Sequence, residues 1–126
     1  LRSMNDVMND VRAGANDEVY PENIMSNKSA QVIYDNIKGH LASSMEEKIS
    51  EEKAEYIIAD TSLKFDNIIK EYSLKPDWTT NTVVRNEIEQ DLDMELWDLE
   101  DQYGITIDTD TVREEIMKIS IRKYGR

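Results

Sequence analysis

The chain has 126 residues, 39% hydrophobic and 33% charged, with a formal net charge of −12. That length suits one domain able to bury roughly two-thirds of its unfolded surface, and four Gly with two Pro favour long regular elements over turn-rich sheet. Cysteine is absent, which excludes disulfides and thiolate metal sites, and the acidic balance argues against a domain that coats itself in nucleic acid.

Residues 1–19 read as a polar linker, rich in Asn and Asp around Ala13-Gly14-Ala15, with 1–3 expected to be a cloning remnant because no initiator Met opens the chain. Residues 20–126 read as one helical assembly domain. Pro21 suits a first helical position, and Ala30, Ile33, Tyr34, Ile37 and Leu41 follow at helical spacing up to Gly39-His40-Leu41, with a break near Ser26. Ser44 and Glu47 have capping-box spacing, so a second helix is expected over Met45 to Tyr72, with Ala54, Ile57, Ile58, Thr61, Phe65, Ile68, Ile69 and Tyr72 on one stripe. Pro76 then makes an extended or turning segment. Val84, Ile88, Leu92, Leu96, Leu99 and Tyr103 mark a third helix ending at Gly104, a natural left-handed cap. Ile105-Thr106-Ile107 is β-prone but lacks a partner strand and reads as a packed connector. Thr111 with Glu114 repeats the capping-box spacing, and Val112, Ile116 and Ile119 begin a last helix that frays at Tyr124-Gly125-Arg126. The fold class that follows is all-α, a compact bundle of about four helices, with Ile57, Ile58, Phe65, Ile68, Ile88, Leu92, Leu96, Ile116 and Ile119 in its core.

The chemical candidates are few. Glu87, Glu89, Asp91, Asp93, Glu95, Asp98, Glu100 and Asp101 crowd the third helix beside a single cation, Arg85, which reads as a solvated face or as a DNA-like or metal-binding stripe. Asp91-Leu92-Asp93-Met94-Glu95-Leu96 imitates a calcium loop, but its sixth position holds Leu where a sharp turn needs Gly. His40 is the only imidazole, so a catalytic triad or a two-histidine metal site has no second histidine to use. Pro76-Asp77 and Glu46-Glu47-Lys48 resemble the halves of a magnesium nuclease motif in the wrong order. The isolated glycines form no phosphate loop. No catalytic residue, cofactor or metal is expected. Apolar runs are too short to cross a bilayer, and a cytoplasmic location is expected by elimination. The glycosylation sequon at Asn27-Lys28-Ser29 then has no role.

Two features point to binding. Arg113, Lys118, Arg122, Lys123 and Arg126 make the end of the chain basic, with Lys64, Lys70 and Lys75 available to extend the patch. Phosphate contact is one reading, and favourable cations at a helix C-terminus the other. Trp78 and Trp97 are either interface anchors or partly buried core.

Over Glu18-Val19-Tyr20-Pro21-Glu22-Asn23-Ile24-Met25-Ser26-Asn27-Lys28-Ser29-Ala30-Gln31, and again over Val112 to Tyr124, the sequence resembles the C-terminal end of the motor subunit of type I restriction enzymes. The likeness spans most of the chain after the linker and carries no catalytic signature. It implies a helical region beyond the nuclease and ATPase parts of that subunit. Such a region docks onto the methyltransferase core of modification and specificity subunits and contacts double-stranded DNA weakly and without sequence preference. The competing expectation is a free-standing acidic protein that mimics DNA and inhibits nucleic-acid enzymes, which the net charge of −12 favours.

Overall fold

The computed structural model describes residues 20–124; the expected linker and Arg126 lie outside them. A short 3-10 turn, Glu22–Ile24, precedes four helices: α1 (Lys28–Met45), α2 (Glu51–Tyr72), α3 (Thr82–Tyr103) and α4 (Thr109–Tyr124). No strand occurs among the described residues. At a rise of 1.5 Å per residue, α2 and α3 are each about 33 Å long.

Each helix packs against the next, and α4 closes the ring on α1, with α2 and α4 also touching across the diagonal. Two long-range bonds mark the ends. Lys48, in the α1–α2 turn, donates to the Gly104 carbonyl between α3 and α4. At the other end the Tyr124 hydroxyl, closing α4, lies 3.1 Å from Ser29 Oγ near the start of α1. The helices therefore run up, down, up and down. Phe65, Ile58, Ile88, Leu92, Leu96 and Ile116 are fully buried between them, and Ile57 and Ile119 nearly so. Ile68, expected in the core, lies at its edge and is only partly buried.

The caps explain the boundaries. Asn27 starts α1 by accepting the Ala30 N–H at 3.0 Å, while Asn81 starts α3 by accepting from Val83 and Val84 at 3.0 and 3.2 Å. At α2 the start expected at Met45 is corrected. Helix α1 runs through Gly39 and Ser44 to Met45, because Ile37, Leu41 and Met45 continue one buried stripe. Ser50 then caps α2, its hydroxyl accepting from Lys53, and Glu51 and Glu52 favour the positive end of the helix dipole. Ser44 instead donates to the His40 carbonyl.

The start expected at Thr111 also moves. Helix α4 begins at Thr109, and Asp108 accepts both the Thr111 N–H at 3.3 Å and its hydroxyl at 2.8 Å. Those bonds hold the Asp108 carboxyl below the usual range.

Gly104 adopts φ +64° and ψ +41° as expected, and its N–H and that of Ile105 both return to the Glu100 carbonyl. The Glu100 carboxylate also accepts the Ile107 N–H at 2.7 Å. Ile105 and Ile107 are buried, so the β-prone triplet is indeed a packed connector.

Candidate functional site

Helix α4 brings the expected cations together only in part. Its apolar stripe, Val112, Ile116 and Ile119, faces the core, which leaves Lys118, Arg122 and Lys123 exposed on the other side. These three have no carboxylate partner among the described residues. Arg122 and Lys123 flank a shallow depression with Val32, Asn36 and Ile119, between α4 and α1. Lys123 also borders a second depression, shared with Tyr124 and the α2–α3 turn that holds Lys75, Asp77 and Trp78. In that turn Asp77 stands at φ +55°, a left-handed conformation that Asp tolerates better than most residues. Lys75 rests 5.9 Å from the Tyr72 ring centroid.

Three other expected phosphate-binding cations stand beside carboxylates instead. Arg113 Nη1 lies 3.0 Å from Asp93 Oδ2 on α3 and 3.2 Å from Asp110 Oδ1 on its own helix. With 21% of its side chain exposed, Arg113 ties α3 to α4. Lys64 stands between Asp60 at 3.6 Å and Glu95 at 4.0 Å. Lys70 pairs at 3.1 Å with Asp66, a side chain that is 1% exposed, and this carboxylate raises the Lys70 pKa above its ordinary value. The pairs at Arg113 and Lys70 satisfy the cation before a phosphate arrives, while Lys64, 56% exposed and no nearer than 3.6 Å to a carboxylate, is held only weakly, so the basic patch contracts towards the last two turns of α4.

Asp66 also anchors the cationic end. The Tyr124 hydroxyl lies 3.1 Å from Asp66 Oδ1 and 3.1 Å from Ser29 Oγ. Having one proton, it donates to the carboxylate and accepts from Ser29. Burial pushes the Tyr124 pKa up. At Tyr124, the first residue of the expected fray, there is instead a link between α1, α2 and α4, which sets Arg122 and Lys123 relative to the bundle; Gly125 and Arg126 lie outside the described residues.

The acidic helix divides in the same way. Asp91 accepts the Tyr72 hydroxyl at 2.8 Å, Asp93 holds Arg113, Glu95 approaches Lys64, and Glu100 caps the connector. The Asp91 bond, followed by burial, raises the Tyr72 pKa to about 12. Glu87, Asp98 and Asp101 stay exposed. The stretch that imitates a calcium loop is regular helix within α3. Among the described residues no group of three or more His, Cys, Asp and Glu side chains is arranged to hold a metal, and His40 is exposed on α1.

The tryptophans separate. Trp78 is 4% exposed and belongs to the core, so it does not offer the interface anchor considered for it; it follows the Asp77 turn inward. Trp97 is 52% exposed. Sequence reasoning missed its neighbour Met94, 57% exposed, and Val83, 67% exposed about 21 Å away near the start of α3. Their signal was present: each falls off the spacing of the apolar stripe Val84, Ile88, Leu92 and Leu96. No helix among the described residues is long and apolar enough to cross a membrane. Comparison of the chain with protein-family models, curated proteins and solved structures gave no match.

Proposed function

We propose that this chain is a non-catalytic helical docking domain, of the kind that ends the motor subunit of a type I restriction enzyme, and that Lys118, Arg122 and Lys123 contact DNA phosphates from one end of it. The observation that carries the DNA part is the segregation of charge. Arg113 and Lys70 are bound to carboxylates and Lys64 is weakly held by them, whereas the three cations at the end of α4 are exposed without one on a chain of net charge −12. Negative surface elsewhere repels duplex and confines contact to that end. The assembly part rests on the likeness of Glu18–Gln31 and Val112–Tyr124 to that family. In this reading the nuclease and ATPase activities belong to the rest of the parent subunit, in the cytoplasm, and the methyltransferase core is the docking partner. The DNA-mimic alternative is weakened at Asp93 and Glu95, which face Arg113 and Lys64, and not at Asp91 and Glu100, which accept from neutral donors and keep their charge.

Two measurements test the reading. Replacing Lys118, Arg122 and Lys123 together by Glu is expected to weaken duplex binding about equally for unrelated sequences. It is also expected to reduce the slope of log affinity against log salt by about 3, one unit per lost phosphate contact. Binding that survives the triple reversal with its salt slope intact refutes the phosphate contact. For docking, the chain is expected to compete with a full-length motor subunit for the purified core of modification and specificity subunits. Absence of competition at a large excess of chain refutes that role.

A further inference from the structure

The outer face of α3 is used neither by the core nor by the cationic end of α4. At 100° and 1.5 Å per residue, Met94 and Trp97 lie side by side, 57% and 52% exposed, while Val83, 67% exposed, lies on the same side of the helix about 17 Å nearer its start. Ile88, Leu92 and Leu96 fill the opposite side of the same helix and are fully buried. Around Met94 and Trp97, Asp98 and Asp101 follow within about one turn, and Glu87 and Gln90 separate the pair from Val83; the three acids are exposed, with no side-chain hydrogen bond or ion pair among the described residues. A helix face that serves only solubility is commonly laced with alternating charges. The single cation on α3, Arg85, instead turns its guanidinium to the Thr79 carbonyl at 3.4 Å.

An apolar centre holding a tryptophan and a methionine, with a charged margin, has the composition of a protein interface. Its charge selects among occupants. A second copy pairing face to face would set these acids against one another, and duplex DNA or an anionic membrane would be repelled in the same way. We infer that this face docks a basic amphipathic helix of a partner protein, whose apolar side covers Met94 and Trp97 while its Lys or Arg side chains meet Glu87, Asp98 and Asp101. Helix-on-helix packing fits because the pair lies on a ridge of a regular helix and no strand edge is open among the described residues. The identity of the natural partner rests on the docking reading above; the chemistry of the face does not.

The probe is a synthetic amphipathic peptide of about 20 residues, Leu on its i, i+3, i+4, i+7 positions and Lys elsewhere. Two control peptides accompany it, one with Glu for every Lys and one with the Leu and Lys order scrambled. Binding is read from the emission of Trp97, with buried Trp78 as the unchanging background, and from amide shifts along α3. The Lys peptide is expected to bind. Trp97→Ser with Met94→Ser, and separately Glu87→Lys with Asp98→Lys and Asp101→Lys, are each expected to weaken it at least about tenfold. All five positions are exposed, so far-UV circular dichroism is expected to stay unchanged. Equal binding of either control peptide overturns the proposal, as does affinity that survives the Trp97→Ser, Met94→Ser variant. Self-association of the unmodified chain that the same variant abolishes overturns it too, since the occupant is then a second copy. If that variant still competes for the methyltransferase core, docking stands and this face is wrong. If the unmodified chain never competes, the docking reading fails and the peptide measurement alone decides the face.

Discussion

Replacing Tyr124 by Phe removes one oxygen from a site where little else can take its place. The hydroxyl donates to Asp66 Oδ1 at 3.1 Å, and Asp66 is 1% exposed, so water cannot readily substitute. The other oxygen, Oδ2, receives the charge of Lys70 at 3.1 Å and no further donor. A hydrogen bond to a charged group contributes about 1.5–3 kcal/mol, and an abandoned buried acceptor keeps its desolvation penalty. The expected loss is therefore about 2 kcal/mol, or roughly 8 °C in Tm for a chain of 126 residues. Thermal and urea unfolding followed by circular dichroism measure it, and a double-mutant cycle with Asp66→Asn isolates the pair, where coupling of about 1 kcal/mol or more is expected. A loss below about 0.5 kcal/mol, or single-variant effects that simply add, would show that Asp66 does not depend on Tyr124. The anchoring of the α4 cations would then need another cause.

The core offers a larger effect. Phe65 is fully buried on α2, and Phe65→Ala is expected to remove about 3–5 kcal/mol in urea unfolding; a change near zero would mean that its stripe is not packed. Alkaline pH provides an independent check through Tyr72, whose pKa rises from 10.0 to about 12 because its hydroxyl donates to Asp91 and is partly buried. A group that holds its proton more tightly when folded contributes fully below its unfolded pKa, so this stabilisation is complete below pH 10 and lost as pH climbs towards 12. The raised pKa values of Tyr34 and Tyr124 act in the same direction. Absorbance titration of tyrosinate is expected to show a late-ionising class, and Tyr72→Phe to flatten the alkaline fall in stability; an unaltered fall would remove Tyr72 from the explanation.

Periodicity in one dimension was enough for the four helices, their order and most of the core, because an apolar stripe recurring every three or four residues has no stable place except against other stripes. Gly104 could likewise be read as a left-handed cap, since that conformation is a local property of the residue. The ends of α1 and α2 were less legible. Ser44 heads a capping-box pattern and Ser50 does not, yet the burial of Met45 against the bundle carries α1 past Ser44 and leaves Ser50 as the cap of α2. The charged surface could be read in advance only where partners stand one helical turn apart, as Asp60 with Lys64 and Asp66 with Lys70 do. Arg113 and Lys118 look alike along the chain, but Arg113 meets Asp93, 20 residues away on α3, while Lys118 points to solvent. Lys70 was removed from the patch, and Lys64 weakened in it, by carboxylates that the packing and helical turns bring beside them. Trp78 went inside and Trp97 stayed out for a similar reason: a turn after Pro76 has no repeat from which burial can be inferred, whereas the exposure of Trp97 depends on which side of α3 its neighbours cover. Helix formation depends on residues three and four apart, but whether a charge or an aromatic ring is free depends on what tertiary packing brings within a few ångströms of it.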